Sequence, residues 1–197
     1  MLRCRDKAAD VITVTLWESG AIGYYLVNKY DRQGRISHHT EPEKYYQQQW
    51  QHFQSTGQGP YFGQAAWFNL FHQEKLPSAQ DRYAKEVNRV AKVLDKYLDG
   101  RNWLVGDKCT YVDLQYFPWN NGIAMFMRDR NDWNIDEYPN FKRWHEAIKS
   151  RPSVQKALKA MKVEDVTSSS GGSENVMSDE HVVNWATDAA KKLDGQK

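Results

Sequence analysis

The chain has 197 residues, 40% of them hydrophobic, enough for one good core or two small ones. A net charge of +2 argues against a strongly electrostatic partner, so neither nucleic acid nor an anionic membrane is expected to bind it. No apolar run approaches the ~20 residues that span a bilayer, the opening residues lack the apolar centre of a secretion signal, and two cysteines do not make a disulfide framework. The expected location is the cytoplasm.

Residues 1–10 carry charges without periodicity and are expected to be poorly ordered. Residues 11–16 are β-branched and apolar and read as a strand. Nothing earlier reads as a partner for it, so the strand is expected to stay loose or to pair with another chain. From Gly20 the spacing becomes helical, through Ile22, Tyr25, Leu26 and Lys29, which puts Ser19 at or next to the N-cap and Glu18 just before it. Unpaired N–H groups at such a helix start can hold a ligand carboxylate while Glu18 holds a ligand ammonium. The plainer role is that Ser19 caps the helix and Glu18 favours its dipole.

Residues 31–34 read as a turn, and residues 40–43 as a capping box with Pro42 inside the first helical turn. Tyr46, Trp50 and Phe53 form one packing face, which Gly57 to Pro60 must kink or break before apolar spacing resumes at Trp67, Leu70 and Phe71. A helix opening at residues 78–81 carries Tyr83, Val87, Val90, Leu94, Tyr97 and Leu98 as its stripe and stops at Gly100. Thr110 and Asp113 form a second, structural capping box, with Cys109 and Leu114 placed to staple it. Pro139 opens a helix with Phe141, Trp144 and Ile148 inside, and Ser153 starts another with Val154, Leu158 and Met161. Residues 168–173 are a Ser/Gly linker, and residues 178–193 have an amphipathic pattern in a tail expected to be mobile. The six histidines show no metal spacing; His38 and His39 are a loop pair, and His145 is expected on a polar helix face. No metal site is expected.

Several segments resemble a known family in its own order. They are Trp17-Glu18-Ser19-Gly20-Ala21-Ile22, Tyr25 to Tyr30, Gly57 to Gln64, Trp103 to Leu114 and Pro118 to Asn121. Over roughly residues 14–160 the chain is similar to the glutathione S-transferases, in particular to the fungal branch that includes the yeast prion-forming nitrogen regulator. The resemblance implies a mainly α fold: the family's C-terminal helical domain, preceded by a strand–helix remnant of a thioredoxin-like domain. The implied division is a remnant over residues 1–37, an all-α domain over 40–162 and a linker with tail over 163–197. It also implies glutathione as cosubstrate, Glu18 and Ser19 as its γ-glutamyl anchor, and a small electrophile or disulfide as second substrate. Phe53, Tyr61, Phe62, Trp119 and Asn120 are the candidates for the electrophile pocket. A homodimer is expected, as family members bury one long helix of each subunit against its counterpart.

The family's thiol-activating residue lies well before the Glu–Ser pair, and a cis-proline precedes the domain's third strand. Here seventeen residues precede Glu18 and the first proline is Pro42, so the reading is a truncated or alternative product, or a gene model that starts late. Catalytic residues are therefore unassigned, with Tyr116 and Cys4 only conceivable substitutes. A non-catalytic regulatory or dimerisation module, or a degenerate gene product, is the alternative to conjugation or disulfide reduction with glutathione.

Overall fold

The computed structural model describes residues 2–4 and 14–161. Two short strands, β1 (Leu2–Cys4) and β2 (Val14–Leu16), pair antiparallel with Leu2 opposite Leu16 and Cys4 opposite Val14. This corrects two expectations. Part of the charged opening segment is ordered as a strand, and the later strand has a partner in its own chain. Arg3 and Cys4 gave no period-2 signal because a three-residue strand is too short to show one.

Helix α1 (Ser19–Tyr30) follows, then a loop, then α2 (Glu43–Phe53). Here the expected capping box is absent. Pro42, after a cis peptide bond, stands at the N-cap, no side chain caps the helix, and the Lys44 amide donates to the Thr40 carbonyl at 2.9 Å. The break expected near Gly57 is a π-helical turn, Gln54–Gln58, after which α3 (Gly59–Ala66) resumes. Pro60 sits in the first turn of α3, directly after the π-helical turn. A second π-helical turn, Trp67–Phe71, closes this arm.

Helix α4 (Pro77–Tyr97) starts one residue before the expected position, with proline in its first turn. Val87, Val90, Leu94 and Leu98 are buried along its expected stripe, and Gly100 takes a left-handed φ of 67° just beyond it. Helix α5 (Tyr111–Phe126) is the centre of the bundle and packs on α1, α2, α3 and on α6 (Pro139–Lys149), while α6 also packs on α4. Its expected start is in place. Asp113 accepts from the Thr110 amide at 2.8 Å and the Thr110 hydroxyl at 2.9 Å, from the Leu104 amide at 2.9 Å and from Trp144 Nε1 at 2.9 Å. One carboxylate thus ties a loop, the α5 N-terminus and α6 together. Burial pushes the Asp113 carboxyl up, opposed by these four hydrogen bonds.

Phe62, Tyr116, Phe141, Trp144 and Ile148 are fully buried among these helices, each large apolar side chain contributing about 1.5–3 kcal/mol by burial. His145 is also inside: it is 3% exposed and stacks on Phe117 with centroids 5.2 Å apart, not on the polar face expected of it. Met1–Ser150 form one compact unit and the chain from Arg151 a second, whose described part is α7 (Pro152–Ala160), the helix expected from Ser153. The linker and amphipathic segment expected beyond residue 162 lie outside the described residues. No described helix is long and apolar enough to cross a membrane.

Candidate functional site

Trp17, Glu18 and Ser19 connect β2 to α1, and all three side chains are exposed. Glu18 is the N-cap residue and holds φ 68°, the one positive value at a non-glycine among the described residues. A left-handed glutamate costs of order 1 kcal/mol and turns the chain abruptly into the helix. Ser19 is the first helical residue, and the Ile22 amide reaches back to the Glu18 carbonyl at 3.0 Å. No side chain caps this helix and its first turn carries no acid, so its leading N–H groups have no side-chain acceptor, next to the exposed Glu18 carboxylate. The plain reading of Ser19 as a side-chain cap is therefore not what the geometry shows.

The floor of this helix start comes from α2 and α5. Gly20, buried, lies against the Gln51 amide, whose nitrogen is 3.0 Å from where a Cβ would stand. Gly23 lies against Gln115 in the same way, at 2.7 Å, and Gln115 Nε2 donates to the Ser19 carbonyl at 3.3 Å. Tyr111 Oη donates to Gln51 Oε1 at 2.9 Å and accepts from Gln48 Nε2 at 3.3 Å, and burial pushes its hydroxyl up to about 12.

The five candidates for the electrophile pocket come from α2, α3 and α5. Phe62 is fully buried and packs edge-on to Phe126 at 5.9 Å, a core position. Phe53 stands edge-on to Trp50 at 5.7 Å. Tyr61 lies on the other side of α3, under the guanidinium groups of Arg82 and Arg89 at 6.0 and 5.7 Å. Trp119 fills the space left by Gly59 and Gly63, its atoms 3.6 and 3.4 Å from where their Cβ atoms would stand. Asn120 is 5% exposed and accepts from Gln58 Nε2 at 2.7 Å, while Gln54 Nε2 donates to Gln58 Oε1 at 3.3 Å. Tyr116 spends its one O–H on the Trp50 carbonyl at 2.9 Å, and burial pushes its pKa far up. Among the described residues no group of three or more His, Cys, Asp or Glu could hold a metal.

Sequence reasoning missed the amide floor. Its signal was present in Gln47, Gln51, Gln54 and Gln58, buried polar residues three and four apart that share a face with Trp50.

A helical bundle assembled on a capped central helix, entered from a short strand through Glu18 and Ser19, has the architecture of a C-terminal transferase-type domain. Residues 60–152 match the glutathione S-transferase C-terminal domain. The glutathione S-transferase-like protein tpcF of Aspergillus fumigatus is 44% identical over 154 residues, 74% of this chain and 68% of the relative. The transcriptional regulator URE2 of Saccharomyces cerevisiae is 34% identical over 182 residues, 74% of this chain and 50% of that protein. Among solved structures, Ure2p5 of Phanerochaete chrysosporium, cocrystallised with 1-(S-glutathionyl)-2,4-dinitrobenzene, superposes with a TM-score of 0.71 at 38% identity, covering 75% of this chain and 69% of that one. The chain belongs to the glutathione S-transferase family.

Proposed function

We propose that this chain anchors the γ-glutamyl end of glutathione at Ser19 and Glu18, for conjugation to a small electrophile or for reduction of a disulfide. The observation that carries the reading is the uncapped start of α1, with N–H groups for the carboxylate and the Glu18 carboxylate for the ammonium. A structural neighbour crystallised with a dinitrophenyl conjugate of glutathione supports it. Residues 1–37 are proposed as the anchoring part and residues 40–162 as the helical domain. The protein is proposed as a cytoplasmic homodimer, on the family resemblance and its two cysteines. Phe53, Tyr61, Phe62, Trp119 and Asn120 are the proposed candidates for the second-substrate side.

The anchor by itself binds weakly. A charge-assisted bond at an exposed helix end offers about 0.3–1 kcal/mol, against an association cost of about 4–15 kcal/mol. Turnover further requires a donor that ionises the thiol, and the buried phenols Tyr111 and Tyr116 are committed to Gln51 and to the Trp50 carbonyl. That commitment favours, as second reading, a non-catalytic regulatory or dimerisation module. Glutathione titrated to millimolar concentration should shift the amide resonances of Ser19 to Ile22, and Glu18→Gln should weaken the response. Turnover of 1-chloro-2,4-dinitrobenzene by the purified chain decides between enzyme and module. An unresponsive first turn of α1 would refute the anchoring.

A further inference from the structure

We infer that Gln115 and Gln51, the latter oriented by Tyr111, are positioning residues for the glutathione notch; this rests on the anchoring reading above. Gly20 and Gly23 are three apart in α1 and so share a face. Each stands where a Cβ would collide with a side-chain amide, at 3.0 Å from Gln51 Nε2 and 2.7 Å from Gln115 Nε2. The first turn of α1 therefore rests on two amides contributed by two other helices, α2 and α5. A hydrogen bond joins one of them to the residue that carries the site: Gln115 Nε2 donates to the Ser19 carbonyl at 3.3 Å. The other amide is itself held, since Gln51 Oε1 accepts from Tyr111 Oη at 2.9 Å. Burial raises Tyr111 to about 12, so this donor stays protonated at neutral pH.

The consequence concerns direction. The N–H groups of an uncapped helix point along its axis, and a carboxylate binds them only where that axis is aimed. Glu18, in a left-handed conformation immediately before the helix, moves with the same turn. Tilting the start of α1 would displace both halves of the anchor together. The two amides fix that tilt without touching the ligand, and so tie the notch to the helical core.

Gly23→Ala is the test, because it separates positioning from folding. The added methyl is too close only to the far end of a flexible glutamine, the Tyr111 ring at 3.6 Å being an ordinary contact, and alanine is the better helix former, so the melting temperature should hold or rise. The Gln115 amide must nevertheless shift, which weakens its 3.3 Å bond to the Ser19 carbonyl. Gln115→Ala is the second variant, on a side chain that is only half-buried. Both are titrated with glutathione and with the dipeptide Cys-Gly, which lacks the γ-glutamyl group, following the amides of Ser19 to Ile22. The expected result is glutathione affinity ~3–10-fold weaker, as for loss of one hydrogen bond, with Cys-Gly unchanged and melting retained. Wild-type affinity in both variants overturns the inference and leaves the anchoring intact, as does an equal loss for Cys-Gly. A wild-type protein whose α1 start ignores glutathione removes the anchoring and this inference with it.

Discussion

Asp113→Ala should be among the most destabilising single changes in the chain. The carboxylate is fully buried and accepts from the Leu104 amide, the Thr110 amide and hydroxyl, and Trp144 Nε1. The Thr110 hydroxyl can rotate to another acceptor, but three N–H donors are left buried without one. At about 1–3 kcal/mol each, the sum is ~3–9 kcal/mol, a large share of the ~5–15 kcal/mol that holds a domain together. Asp113→Asn should cost less. Its Oδ1 still accepts from Leu104 and Trp144, and only the position facing Thr110 N becomes a donor against a donor. Trp144→Phe removes one donor and keeps most of the ring, and should cost about 1–3 kcal/mol. Urea unfolding followed by far-UV circular dichroism ranks the three, and the Asp113→Ala/Trp144→Phe cycle should show strong coupling. A loss under ~1 kcal/mol for Asp113→Ala would refute the reasoning, since no arrangement that orphans three buried donors is that cheap.

Two glycines of equal φ separate backbone strain from crowding. Gly100→Ala, at φ 67° with nothing within 4 Å, should cost about 1–2 kcal/mol, the left-handed penalty alone; Gly106→Ala, at the same φ but with its Cβ 2.7 Å from His38 Nε2, should cost more, by thermal melts of the pair. The Glu86 carboxylate is disfavoured by burial, yet hydrogen bonds from Arg89 and Arg82 at 2.6 and 2.5 Å hold its pKa below the usual 4.5. Its folded pKa being depressed, the stabilisation is complete above that usual value and is lost as pH falls through the folded one. Stability of Glu86→Gln should therefore fall less steeply than wild type in acid, as read by denaturant midpoints at stepped pH. Thr110→Ala should cost about 0.5–2 kcal/mol, the range for a lost N-terminal cap, by urea unfolding.

The helices were legible where one residue type has one physical role. The stripe of α4, the proline opening α6 and the Thr110–Asp113 box follow from period and capping chemistry, and the structure places them there. The box at residues 40–43 has the same pattern and is not formed. Its proline stands at the N-cap itself, with no side-chain cap bond, which pattern matching cannot distinguish from a proline one residue later. His145 was misplaced for a related reason. Its neighbours Arg143 and Glu146 suggest an exposed face, but the face is decided by the Phe117 ring supplied from another helix. The β1–β2 pair needed a partner three residues long, below the length at which alternation carries information.

The candidate site was legible only along its outer edge. Glu18 and Ser19 stand out because a strand gives way to a helix across them, a change of period within one short segment. Of the amides beneath, Gln51 belongs to the run of spaced glutamines in the sequence, while Gln115 could be found only by knowing which helices meet. Gln115 is ninety-six residues from Ser19 in the chain, and nothing local marks it. Gly20 and Gly23 were the nearest thing to a signal: two glycines three apart in a helix weaken it by about 1 kcal/mol each, and such a cost is retained where something must approach closely. The structure shows that what approaches is a pair of glutamine amides, one from α2 and one from α5. The same logic accounts for Gly59 and Gly63, which admit the Trp119 indole from α5 against α3. In this bundle, then, each paired glycine on a helix predicts a large or polar side chain from a distant helix, and the residue types of that partner decide whether the contact serves packing or a site.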